Sequence, residues 1–162
     1  MSLVKTVESK PFYLDLCERY QKMGNGAKAD IKRVSFPKEL LSLGAFFRLC
    51  RKENDLFKYA NVVFILPWLG HKKGMTLGSV FYGDSKHRVS EARMIQLQRS
   101  DYPQDIVGLR RIIWQATGRH AEQTVDWEIF GPQLFYWGNH YKQKILQDYY
   151  ISEIKTTKTE GD

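Results

Sequence analysis

Cysteine is scarce in this chain: 162 residues carry two, Cys17 and Cys50, with no CxxC pair. That argues against a secreted disulfide scaffold, and the absence of a charged-plus-apolar leader with a small-residue cleavage site points the same way, so a reducing cytoplasm is expected. Long apolar runs are lacking as well. The longest, Tyr59 to Leu69 (YANVVFILPWL), falls short of the roughly 20 residues a membrane span requires and contains Pro67. It reads as a buried core helix, and no membrane is expected as a partner.

Catalytic and metal-binding patterns are equally sparse. His71, His87, His120 and His140 show no HExxH or other close spacing and read as surface groups. No serine sits in GxSxG. The Gly24–Lys28 segment, GNGAK, lacks both the length and the Ser/Thr of a phosphate-binding loop and reads as a turn. Asp101 and Asp105 are better explained as helix caps than as an acid–base dyad. No enzyme activity, metal or cofactor is expected.

Acid is the minority charge. Lys and Arg number 25 against 18 Asp and Glu, leaving +7 and a pI near 9.4, which favours a nucleic-acid or acidic-surface partner. The excess is concentrated. From Lys28 to Lys52 seven basic residues face two acids, Asp30 and Glu39; from His71 to Arg99 six face two, Asp84 and Glu91. Arg51 and Arg99 belong to these blocks.

What the chain has in quantity is helical periodicity. The 43% hydrophobic content suffices for one core. A mixed stripe over Val7–Lys22 predicts a first helix that Gly24-Asn25-Gly26 stops, and Ala27–Val34 predicts a second. Ser35 and Pro37 mark the start of a third segment whose core face runs from Leu40 to Cys50. VVFIL, inside a helical stretch, is read as helix rather than strand. His71–Lys86 (HKKGMTLGSVFYGDSK) reads as a mobile loop with one short helical turn near Thr76–Phe81, and as the seam between two lobes. Asp101, Pro103 and Gln104 resemble a capping box opening an amphipathic helix with Ile106, Leu109, Ile112, Ile113 and Ala116 inward. Thr124 or Asp126 caps the next helix, Gly131-Pro132 breaks or kinks it, and a last helix is expected from about Gln133 to Tyr150 before a fraying polar tail. The fold class is therefore all-α: two small packed helical bundles in a single domain over 1–162, with approximate lobes 1–75 and 76–152 and a tail 153–162.

On the helix after Asp105, Gln104, Gly108, Arg111 and Gln115 form a polar stripe, which places Arg111 outward and Arg110 at the boundary beside Val107 and Trp114. Arg33 and Arg111 have too few acids nearby to neutralise them and read as phosphate contacts. Lys28 with Lys32 fits a solvated helix face and a phosphate contact equally well. For Arg93, a structural ion pair near the Ser90 cap competes with a ligand contact. The aromatics, 14% of the chain, fall in apolar helical runs, so Trp68, Trp114, Trp127, Trp137, Phe46, Phe47, Phe130, Phe135, Tyr149 and Tyr150 are expected in the core rather than stacked on bases.

Taken in order, NGAKADIKRV at 25–34, LGAFFRL at 43–49, MTLG at 75–78, VSEARMIQLQRSD at 89–101, LRRII at 109–113, DW at 126–127, YWG at 136–138 and LQDYY at 146–150 resemble the CasB family, the small subunit of the type I-E CRISPR Cascade complex. The resemblance spans about residue 10 to residue 152. It implies an all-helical fold of two bundles, no catalytic role, and two copies per Cascade, beside backbone and large subunits that carry the guide RNA. It further implies a basic surface that meets target DNA during R-loop formation, sequence being read by the guide. By motif position that surface falls on Lys32, Arg33, Arg48, Arg110, Arg111, Lys142 and Lys144, with the Lys72-Lys73 loop as an addition. Gly131-Pro132 and Asn139-His140 depart from the pattern, which weakens the last helix as a contributor. Two other readings stay open: a free-standing helical DNA-binding regulator, though no recognition helix is evident, and a pure scaffold whose basic residues serve acidic neighbours.

Overall fold

A computed structural model describes residues 12–51, 54–116 and 123–160, without the side chains of 159 and 160. The expected helical residues 7–11, Lys52 in the first basic block, His120 and the last two tail residues lie outside that set. Among the described residues the regular structure is helical but for one two-stranded parallel pairing, so the fold is all-α.

Helix α1 (Phe12–Lys22) buries Leu16 and Tyr20 one turn apart, and Asp15 pairs with Arg19 at 2.9 Å across its outer face. After Gly24 the chain re-enters helix as α2 (Asn25–Arg33), which buries Ile31 and leaves Lys32 and Arg33 in its last turn, where the helix dipole favours cations. The start expected at Pro37 is present, but as a short 3-10 helix over Pro37–Ser42. An extended Leu43 separates it from α3 (Gly44–Cys50), which ends at Arg51 in the left-handed region at φ 53°. Helix α4 (Leu56–Ile65) buries six consecutive residues, Ala60 to Ile65, and is the spine of the core. This is the apolar run expected to be helical.

A 3-10 turn, Leu66–Trp68, then leads into strand β1 (Gly70–His71), which pairs in parallel with β2 (Thr124–Val125). In the stretch read as a loop with one short helical turn near Thr76–Phe81, the turn is present and the loop before it is held by hydrogen bonds. Lys72 N–H donates to Val125 O at 3.0 Å, and Gly74 N–H donates to Asp126 Oδ2 at 2.8 Å. Thr76 then caps α5 (Leu77–Tyr82), in which Leu77, Gly78, Val80, Phe81 and Tyr82 are buried. A Cβ on Gly78 would lie 2.4 Å from Ile145 O and 2.5 Å from Tyr149 N. Only glycine lets the two backbones approach that closely. Sequence periodicity cannot reveal this, because a six-residue helix buried on most sides shows no polar face.

Ser90 accepts from Arg93 N–H to cap α6 (Glu91–Arg99), as expected. Helix α7 (Gln104–Ala116) follows with Ile106, Leu109, Ile112, Ile113 and Ala116 inward. Asp126 caps α8 (Trp127–Phe135) by accepting from Glu128 N–H at 3.0 Å. Pro132 sits inside α8 and does not end it: the helix runs to Phe135 before turning at Tyr136. Helix α9 accordingly begins at Asn139, not near Gln133, and continues to Glu160, so the stretch expected to fray after Tyr150 is helical. Within one continuous core, α8 packs on α1 and α4, while α9 packs on α5 and α6. Tyr149 O–H donates to Val89 O at 2.7 Å and ties α9 to the segment entering α6.

Candidate nucleic-acid interface

The amphipathic phase of α7 sets the main site. With Ile106, Leu109 and Ile113 committed to the core, the next two positions divide: Arg110 lies on the boundary and Arg111 faces solvent. Arg110 Nη1 donates to Val34 O at 2.5 Å, and its guanidinium stacks 4.2 Å from the Phe64 ring. Burial lowers its pKa from the ordinary guanidinium value, an effect opposed by Glu39 and reinforced by Arg111. It is a fixed positive wall. Across from it, Lys32 at the end of α2 places Nζ 4.6 Å from the Trp68 ring. Lys32, Trp68, Val107, Arg110, Arg111 and Trp114 thus line an open groove of about 330 Å³.

Arg111 also borders a second groove, about 480 Å³, with Phe36, Gln96, Ser100 and Gln104. There Arg93 Nη1 donates to Gln115 Oε1, joining α6 to α7. Of the two readings held open for Arg93, the structural one describes its geometry, with an amide rather than a carboxylate as partner.

The remaining predicted positions are dispersed. Arg33 is exposed beside Lys32, and Lys28 is half-buried with Nζ 5.8 Å over the Tyr20 ring. Arg48 and Arg51 line a separate groove of about 400 Å³ with Arg19 and Lys22 of α1. Arg51 Nε donates to Arg48 O at 3.3 Å. Sequence reasoning missed Arg19 and Lys22, although their place in the last turn of an expected helix was a usable signal. Lys72 and Lys73 are exposed on the turn that Asp126 holds. Arg99 is exposed in the last turn of α6. Lys144 is half-exposed and paired with Asp148 at 3.2 Å.

Lys142 does not belong to this surface. It is 3% exposed, with Nζ 2.9 Å from Asp105 Oδ2 and donating to Ser100 O at 2.6 Å. A phosphate cannot reach it. Asp105, expected as a helix cap, is 2% exposed and serves as its buried counter-ion. Two aromatics correct the reading in the other direction: Trp114 is 49% exposed and Phe47 42%. Among the described residues no group of three or more His, Cys, Asp or Glu is placed to hold a metal, and no helix is long and apolar enough to cross a membrane.

No protein-family model matches the chain. Among curated proteins it is 32% identical over 156 residues to the CRISPR system Cascade subunit CasB of Escherichia coli K12, covering 86% of this chain and 93% of that one. Among solved structures it superimposes with a TM-score of 0.75 and 29% identity on a chain of E. coli Cascade bound to a PAM-containing double-stranded DNA target. That match covers 90% of this chain and 99% of the other. Identity at this level over nearly the full length of both sequences, with the same arrangement of helices, shows that the chain belongs to the CasB family.

Proposed function

We propose that the chain is a non-catalytic small subunit of a type I-E Cascade, present in two copies beside the backbone and large subunits and their guide RNA, and that its basic surface grips target DNA and stabilises the R-loop. The observation that carries this is the groove where Lys32, Arg110 and Arg111 come together without a facing carboxylate among its lining residues. Such a surface suits phosphate, which a protein can hold without reading sequence when pairing to a guide supplies specificity. Arg33, beside Lys32, extends the positive field, and the exposed Lys72-Lys73 turn adds positive charge elsewhere on the surface. The likeness to CasB and to a Cascade chain supports the assembly.

The test uses particles assembled from this protein and the cognate guide RNA and subunits, with Lys32→Ala/Arg111→Ala variants alongside wild type. Incorporation should be unchanged, while the affinity for target duplex should drop and its salt dependence become shallower. Equal affinity and equal salt slope in fully assembled particles would refute the grip, and failure of the wild type to assemble would refute the subunit role.

A further inference from the structure

The groove of about 400 Å³ where α1, α2 and α3 meet shares no lining residue with the one between α2 and α7, and its chemistry differs. Four cations form its rim: Arg19 and Lys22 from the last turn of α1, Arg48 from the last turn of α3, and Arg51 at the cap that follows. Its floor is apolar, made by Met23, Ala27 and Leu49, and neither a carboxylate nor an aromatic ring is among its lining residues. Arg19 is the fixed member. Its Nη1 donates to Leu49 O at 2.5 Å and its Nε pairs with Asp15 at 2.9 Å. Lys22, Arg48 and Arg51 are exposed, and among the described residues no carboxylate pairs with them. Arg51 stands out further. The residue that follows a helix is often glycine, which enters the left-handed region without a steric cost; here an arginine holds that position at φ 53°. Its N–H donates to Phe47 O at 3.0 Å and its Nε to Arg48 O at 3.3 Å, so the guanidinium is anchored at the helix end, on the rim of the groove.

We propose that this groove docks an acidic segment of another protein, with its carboxylates on Lys22, Arg48 and Arg51 and an apolar side chain between them on the Met23–Leu49 floor. Charge complementarity sets the class, because three cations without a carboxylate call for an anion. The floor then chooses among anions. A nucleic-acid strand carries its charge on a hydrated phosphodiester backbone and would leave the apolar floor uncovered, while its bases would find no ring to stack on. A peptide places carboxylates and apolar side chains on neighbouring residues and so meets both parts of the groove. Arginine suits the role, since its planar fork matches a carboxylate with two parallel hydrogen bonds. Arg48 and Arg51, which the sequence groups with the DNA surface, thereby take a protein partner, independently of whether the groove between α2 and α7 holds nucleic acid.

The full-length protein is titrated with four labelled probes: a peptide of leucines spaced among glutamates, the same peptide with glutamine for glutamate, the same with serine for leucine, and a mixed-sequence DNA duplex. The first peptide should bind about tenfold tighter than either altered one, since each alteration removes one of the two matched chemistries. Arg51→Gly suits the left-handed backbone, so it should melt no lower than wild type while binding the first peptide more weakly. Lys22→Ala, at an exposed site, should weaken it as well, and the double variant should bind it no better than the glutamine peptide while changing the duplex far less. Equal binding of the three peptides by wild type overturns the proposal, as does a double variant that keeps the preference. A double variant that weakens the duplex as much as the acidic peptide assigns the groove to nucleic acid, and the proposal falls.

Discussion

Lys142 Nζ lies 2.9 Å from Asp105 Oδ2, with both side chains almost wholly withdrawn from solvent. The pair joins the first turn of α7 to the first turn of α9, and the donation from Lys142 to Ser100 O brings in the end of α6. A buried pair adds little net stability over a well-packed apolar substitute, but removing one partner strands a charge. Lys142→Ala should therefore lower unfolding free energy by about 3–5 kcal/mol, with the double variant Lys142→Met/Asp105→Leu much closer to wild type. Urea denaturation of the three proteins checks this; a mild single variant would sink it. Nucleic-acid affinity per folded molecule should not change.

Arg110 and Arg111 are adjacent in sequence and should respond differently to the same substitution. Arg111→Ala should leave thermal stability unchanged and reduce the salt slope of DNA binding by about 0.7–0.9 per lost phosphate contact. Arg110→Ala removes the donor to Val34 O and the cover over Phe64, so it should cost about 1–3 kcal/mol of stability. Melting curves paired with binding at two salt concentrations separate them. Equal melting losses would overturn the division.

Gly78→Ala should destabilise the protein severely, because the added Cβ meets backbone atoms of α9 that cannot rotate away. A loss of about 1–3 kcal/mol is the usual range for overpacking, and rigid neighbours place this site at or above its upper end. Gly108→Ala, where nothing lies within 4 Å of the new Cβ, is the matched control. It should be neutral or mildly stabilising within a helix. Similar melting temperatures for the two variants would contradict the close α5–α9 approach.

Burial pushes the Cys17 thiol, also beside Glu18, and the Cys50 thiol, despite nearby Arg19, up from 9.0 to about 12. Well below pH 9 both folded and unfolded thiols keep their protons. Between pH 9 and about pH 12 the unfolded thiols ionise while the folded ones do not, so unfolding releases protons and stability falls as pH rises. Tyr13, raised from 10.0 to about 12 mainly by burial, acts in the same direction. Melting temperature should hold to about pH 8.5 and decline above it. Cys50→Ala should make that decline shallower; an unaltered slope would exclude the thiol as a contributor.

The elements legible in the sequence were those whose signals are local. The inward stripe of α7, the Ser90 and Asp126 caps and the helical VVFIL run follow from spacing and capping chemistry, and the outward Arg111 follows from the same phase. What escaped depended on partners far along the chain. Lys142 and Lys144 occupy one turn of one helix, yet Asp105 draws the first inward while the second stays at the surface. Trp114 looked like core because its neighbours are apolar, but α7 is one-sided and its phase leaves that ring outside. Helix α8 passes through Pro132 to Phe135, with Phe130, Leu134 and Phe135 packed in the core. Local propensity is overridden there by burial.

The seating of α5 against α9 constrains the order in which the protein can form during synthesis. Gly78 meets Ile145 and Tyr149, and β1 needs β2 as its partner, so two surfaces made early wait for segments made late. While the ribosome is still producing α6 and α7, α5 has nothing to cover its buried face. Helices α1 to α4 can gather first, but the core closes only once α9 has emerged, which makes the uncovered face of α5 the vulnerable surface of the nascent chain.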